Sequence, residues 1–157
     1  MVSGLPDYYR GMDVAFQALA QMTVRPNFGG ALLETGQTEV IANDEKSLFA
    51  IDGKGMIYGG VVWLDAANSQ ANAQVRLKTD DVTLSDISFL RMIDYGIRNP
   101  RSWPVTINTY NNSDYIYSVG ISYGVTFESK VEIVYFEDNG RTPNVHYRLV
   151  YTLIGGS

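Results

Sequence analysis

The sequence predicts an all-β protein, an antiparallel β-sandwich or jelly-roll-like domain preceded by an N-terminal helix or arm. Three observations carry this. From Tyr117 to Phe127 the residues Tyr117, Val119, Ile121, Tyr123, Val125 and Phe127 share one parity, and Ser118, Gly120, Ser122, Gly124 and Thr126 share the other. Period-two alternation of this kind marks a strand with one buried face, and a one-residue slip would turn the whole aromatic and branched set into water. Short apolar segments then recur along the chain between turn clusters, with no crossover helices to make a parallel sheet. Finally, no motif of 20 to 50 residues repeats, which argues against a solenoid or propeller.

Residues 1–28 read as the arm and 29–157 as one sandwich domain. Within the arm, Pro6 to Thr23 is predicted helical: Leu5, Tyr9, Met12, Phe16 and Leu19 repeat at spacings of four and three and form an apolar stripe. Pro6 and Asp7 suit a first turn, and Pro26 ends the helix. The stripe would pack either on the domain's own sheet or on another subunit. Strands are predicted at Ala31–Ile41, Ser47–Ile51, Met56–Leu64 and Gln74–Thr83. Ser85–Tyr95 is expected to be a short helix with Ser85 as its cap and Gly96 as its stop. Val105–Tyr110 and Tyr115–Glu128 follow as strands around an Asn111–Asp114 turn. Val131–Glu137 and Val145–Ile154 are expected to form a closing hairpin through Asp138-Asn139-Gly140, the strongest turn signal in the chain.

Composition narrows the function. The 157 residues include no cysteine, which removes disulfides, thiolate metal sites and cysteine nucleophiles. Only 12 Lys and Arg stand against 17 Asp and Glu, a net charge of -5 that disfavours nucleic acid and an acidic membrane surface alike. The first residues lack the basic and apolar regions of a secretory signal, and no apolar run approaches the roughly 20 residues of a membrane span. Charged residues make up 18% of the chain, fewer than usual, so some apolar surface is expected to be covered.

No catalytic constellation emerges, and no enzymatic activity, cofactor or metal is expected. His146 is the single histidine and falls on the polar parity of the last strand beside Arg148. Asp80, Asp81 and Asp86 are the densest carboxylates but lack the calcium-loop spacing, and read as a solvated turn. Gly53-Lys54-Gly55 lacks the upstream Gly and the following Ser or Thr of a phosphate loop. Asn111-Asn112-Ser113 fits a glycosylation sequon but reads as a polar turn. The most suggestive surface is Arg101 to Tyr117, where Trp103, Tyr110 and Tyr115 alternate with Asn and Asp. Such aromatics stack on sugars, serve protein interfaces or pack a core.

As a whole pattern, an N-terminal helix or arm, a compact all-β domain, no cysteine and no catalytic set resemble the small structural proteins of tailed-bacteriophage virions: head decoration, tail or neck, and fibre subunits. The resemblance rests on organisation and carries over no functional residue. It implies a viral structural protein that forms a symmetric homo-oligomer, a trimer or hexamer, in contact with other virion proteins, located in the virion and in the cytoplasm before assembly. The alternative is a carbohydrate-binding or adhesin module with the Trp103–Tyr115 region as its glycan platform. Leu5, Tyr9, Met12, Phe16, Leu19, Trp103, Tyr110 and Tyr115 are the interface or glycan candidates.

Overall fold

The computed structural model describes residues 30–98 and 103–154. The predicted helix over Pro6–Thr23, with its Leu5, Tyr9, Met12, Phe16 and Leu19 stripe, lies outside the described residues. Among the described residues ten strands and one short helix follow one another: β1 (Leu32–Glu39), β2 (Glu45–Asp52), β3 (Gly55–Asp65), β4 (Gln74–Thr79), β5 (Val82–Ser85), α1 (Phe89–Asp94), β6 (Val105–Asn111), β7 (Ile116–Ile121), β8 (Val125–Phe127), β9 (Lys130–Phe136) and β10 (Asn144–Leu153).

The strands form two antiparallel sheets, one ordered β1-β10-β3-β7-β6 with β8 continuing alongside β3, the other ordered β2-β9-β4-β5. With β6 and β8 set aside, the remaining eight strands pair first with last, second with seventh, third with sixth and fourth with fifth. That nesting is a jelly roll, a long antiparallel ribbon folded over so that its two halves face each other. The core lies between the sheets. Inward residues of β3, β7 and β10 (Val62, Leu64, Tyr117, Val119, Tyr147, Leu149) meet those of β2, β4 and β9 (Phe49, Val75, Leu77, Ile133, Tyr135), all of them buried. Phe49 packs between Tyr147 and Tyr151 at centroid distances of 6.2 and 5.4 Å.

Helix α1 fills the gap at one side of the sandwich. Ser88 caps it by accepting the Arg91 N–H, and Phe89 inserts between the sheets, stacked on Tyr117 at 5.5 Å and tilted against Tyr135 at 6.3 Å. The helix is shorter than predicted and its cap is Ser88, because Ser85 is still paired with Leu77 at the end of β5.

Three further expectations are corrected. The segment Gln74–Thr83 is two strands joined by a tight turn at Asp80 and Asp81, both at positive φ (49° and 65°), a conformation that Asp tolerates better than most residues. The long strand Tyr115–Glu128 is interrupted. Gly124 at φ 87° lets the chain leave the sheet between β7 and β8, so Tyr123 swings into solvent at 72% exposure, while Ser122 is buried and donates its Oγ–H to the Trp103 carbonyl at 2.7 Å. The alternation reads through this break because three residues loop out opposite two of β3, leaving Ile121 and Val125 both facing inward with their partners Gly60 and Ile57. Lastly, β9 and β10 do not form a hairpin. Strand β9 lies between β2 and β4, β10 lies between β1 and β3, and residues 137–143 cross from one sheet to the other.

Candidate functional site

The connections sort to the two ends of the sandwich. At one end the tight turn at Asp80 clamps the β8–β9 turn: its carboxylate accepts the N–H groups of Glu128, Ser129 and Lys130 at 2.7 to 3.1 Å and the Ser129 hydroxyl at 2.9 Å. Those backbone donors, Glu128 first, pull the Asp80 carboxyl down to about 2. The turn predicted as merely solvated is thus a latch between three loops, since Ser129 also accepts the Gly53 N–H at 2.7 Å.

At the other end a polar chain runs inward from the surface. Ser69 Oγ and Tyr117 Oη both donate to Asn112 Oδ1, at 2.6 and 2.5 Å; Tyr117 Oη accepts the Gln70 N–H at 3.2 Å; and Tyr135 Oη donates to Gln70 Oε1 at 3.0 Å. Gln70 and Glu137 are fully buried here. Burial works against the charge of Glu137, but N–H donors from Asn43, Asn139 and Arg141 (2.9, 2.8 and 3.2 Å) and the nearby Gln70 amide outweigh it and hold the carboxyl below its usual range. Burial, followed by the Glu137 charge, pushes the Tyr135 hydroxyl up. Glu137 is therefore the post around which the β9–β10 connection wraps. Nothing in the sequence singles it out; its only signal is a carboxylate placed two residues before an Asn-Gly turn.

The aromatic candidates are not gathered into one platform. Trp103 lies beside the start of β6, 37% exposed, its indole N–H donated to Ser85 Oγ at 3.0 Å. Tyr110 and Tyr115 lie at the far end of β6 and of its turn, about 20 Å away at the rise of a strand. Tyr110 packs edge-on against buried Tyr117, and its hydroxyl is raised by burial and by neighbouring Tyr117 and Asp94. Tyr115 sits at φ 57° and packs against the core. The Asn111–Asp114 segment is a polar turn as predicted, with Asn111 Oδ1 accepting the N–H groups of Ser113 and Asp114.

What the fold does assemble is a contrast between its two outer faces. The outward residues of the β2-β9-β4-β5 sheet form a charged lattice. Glu45 bridges Arg76 and Lys78 at 2.6 Å each, Arg76 lies 4.4 Å over the Phe136 ring, and Lys130 faces Glu132. Lys78 foremost lowers the Glu45 carboxyl. On the opposite sheet the register aligns three outward rows: Leu33, Val150 and Gly59; Thr35, Arg148, Val61, Gly120 and Thr106; Gln37, His146, Trp63, Ser118 and Thr109. Arg148 is the single charge in these rows. His146 stacks on Trp63 at 5.3 Å and 12°, an outward position for the lone histidine. Leu33 is 54% exposed, and the Tyr58–Tyr123 pair, 5.9 Å apart, lies beyond the rows on one side; on the other side the next register row, Glu39, Asn144, Asp65, Ile116 and Asn111, brings carboxylate residues back.

Among the described residues no group of three or more His, Asp or Glu is placed to hold a metal ion, and no helix is long and apolar enough to cross a membrane. No protein-family model matches the chain, and no curated protein matches it.

Proposed function

We propose that this chain is a non-enzymatic structural subunit of a virus particle, of the tailed-phage kind, that assembles as a symmetric homo-oligomer in capsid decoration or in the tail or fibre. The observation that carries the reading is the charge-poor centre of the outer face of the β1-β10-β3-β7-β6 sheet, where three register rows hold Arg148 as their one charge, set against a charge-laced opposite face. A sheet open to water on both outer sides gains solubility from charge on each; a stretch left with a single charge among Leu33, Val61, Trp63 and Val150 has the composition of a surface covered by a neighbour. A symmetric ring repeats that contact on every subunit. The jelly roll itself is shared by capsid and lectin domains, so it agrees with the reading without selecting it.

The glycan alternative through Trp103, Tyr110 and Tyr115 has weaker support, because the fold spends Tyr110 and Tyr115 on packing and separates them from Trp103. Light scattering on the purified full-length chain tests the proposal: a mass of three or six subunits, unchanged on dilution, supports it, and a monomer at all concentrations overturns it.

A further inference from the structure

Strand β1 closes one side of its sheet, and among the described residues no strand lies beyond it. In an antiparallel pair successive residues turn their N–H and C=O groups alternately toward the partner and away, so about half of the backbone groups of Leu32–Glu39 point past β10 with no strand to receive them. The other edges are guarded in ways that discourage a further strand. Strands β5 and β8 are four and three residues long. Strand β2 is bulged between Ser47 and Phe49 and carries Glu45, Lys46 and Asp52; β6 is bulged between Ile107 and Thr109 and donates the Ile107 N–H to the Ile97 carbonyl just past α1. Strand β1 has none of these devices: its eight residues run in unbroken register and include no Pro, Lys or Arg. It also projects beyond the facing sheet, because its inward positions Leu32, Glu34, Gly36 and Thr38 are exposed or half-exposed while their partners on β10, Tyr151, Leu149, Tyr147 and Val145, are buried. A strand arriving at this edge finds open backbone groups and a facing sheet set back.

We propose that β1 pairs antiparallel with β1 of a second copy across a two-fold axis, joining two three-membered rings into an assembly of six. An axis normal to the sheet keeps outward residues opposite outward ones, so only positions of like parity face each other. Centred on Thr35, the pairing sets Leu33 against Gln37, Leu32 against Thr38 and Glu34 against Gly36, with a Thr–Thr pair on the axis and Glu39 beyond the paired segment. No two carboxylates meet. Centring on Glu34 would oppose them, and centring on Gly36 would set Leu33 against Glu39. Both copies then turn the charge-poor face to the same side, which lets six subunits close around one three-fold axis with all of those faces inward. The proposal rests on the assembly reading, since one strand pair is a small contact and three made at once between two rings reinforce one another.

The chain has no cysteine, so Thr35→Cys supplies a single one, and paired mates would hold their Cα atoms about 4.5–5.5 Å apart, within disulfide reach. With oxidised glutathione the full-length variant is expected to form a covalent dimer about tenfold or more faster than Ala50→Cys, an exposed position on β2. In the native chain, amide hydrogen exchange is expected to be slow at every residue of 32–38 instead of every second one, and light scattering to give six subunits. A mass of three, or of six without the Thr35→Cys cross-link, overturns the edge pairing and leaves the face contact standing; a monomer at all concentrations overturns the assembly reading and the pairing with it. Uniform protection without a cross-link gives the edge to another segment of the chain, the residues before β1 foremost, and likewise overturns the proposal.

Discussion

Two neighbouring residues, Ser122 and Tyr123, reverse the expectation drawn from alternation. Parity assigns Tyr123 to the core and Ser122 to the surface, yet the looped-out segment exposes the tyrosine and buries the serine, whose hydroxyl and N–H bond the carbonyls of Trp103 and Pro104. Tyr123→Lys is therefore expected to change stability by no more than about 0.5 kcal/mol, whereas Ser122→Lys buries a charge and loses a hydrogen bond, at a cost of several kcal/mol. Thermal melts of the two variants decide it; a larger loss from the Tyr123 change would return that side chain to the core. Asp80 gives a second prediction at this scale. Its folded carboxyl, near 2, lies below the ordinary value of 3.8, so its contribution is complete above pH 4 and fades as pH falls toward 2. Asp80→Asn should lower the melting temperature at pH 7, and the gap from the native chain should close as the pH approaches 2. A gap that stays constant over that range would mean the carboxylate's charge plays no part in holding the β8–β9 turn.

At the scale of elements, the positions of strands were legible because the branched and aromatic residues alternate wherever a sheet has one buried face. What was not legible was which strands pair. An Asn-Gly turn announces a reversal, and the chain does reverse at Gly140, whose φ is 70°. Local turn chemistry is the same whether the next strand returns to the same sheet or crosses to the facing one, so the expected hairpin became an inter-sheet connection. Similarly, the Asp80-Asp81 turn lay unnoticed inside an apparently continuous strand because Asp lacks the signal of Gly. The crossing depends on Glu137. Glu137→Ala would leave three buried or half-buried N–H groups without an acceptor and should cost about 2–4 kcal/mol; Gly140→Val should cost about 1 kcal/mol or more through strain at positive φ. Denaturant melts of both check this, and a Glu137 variant as stable as the native chain would remove the carboxylate from its role as the post of that loop.

For the whole molecule, the all-β sandwich was readable, and its jelly-roll nesting required the register. The functional surface was only half readable. Small, neutral residues on the polar parity of Tyr117–Ile121 were visible in the sequence, but that Ser118 and Gly120 would line up with Trp63, His146, Val61 and Arg148 into a nearly charge-free face depends on strands brought together from distant parts of the chain. The polar chain from Ser69 through Gln70 to Tyr135 was equally hidden, since its members are scattered along the sequence from Ser69 to Tyr135 and no motif joins them.

The neutral face as the assembly contact is tested most directly by placing the same charge on each side of the sandwich and measuring mass by light scattering. Ser118→Lys puts an ammonium in the middle of the neutral face, and Ala50→Lys puts one on the exposed opposite face, beside Glu132. Both positions point outward, so both variants should fold, as circular dichroism can verify. Ala50→Lys is expected to keep the mass of the native oligomer while Ser118→Lys scatters as a monomer; an unchanged oligomer in Ser118→Lys, or dissociation of Ala50→Lys alone, would rule out this face as the contact.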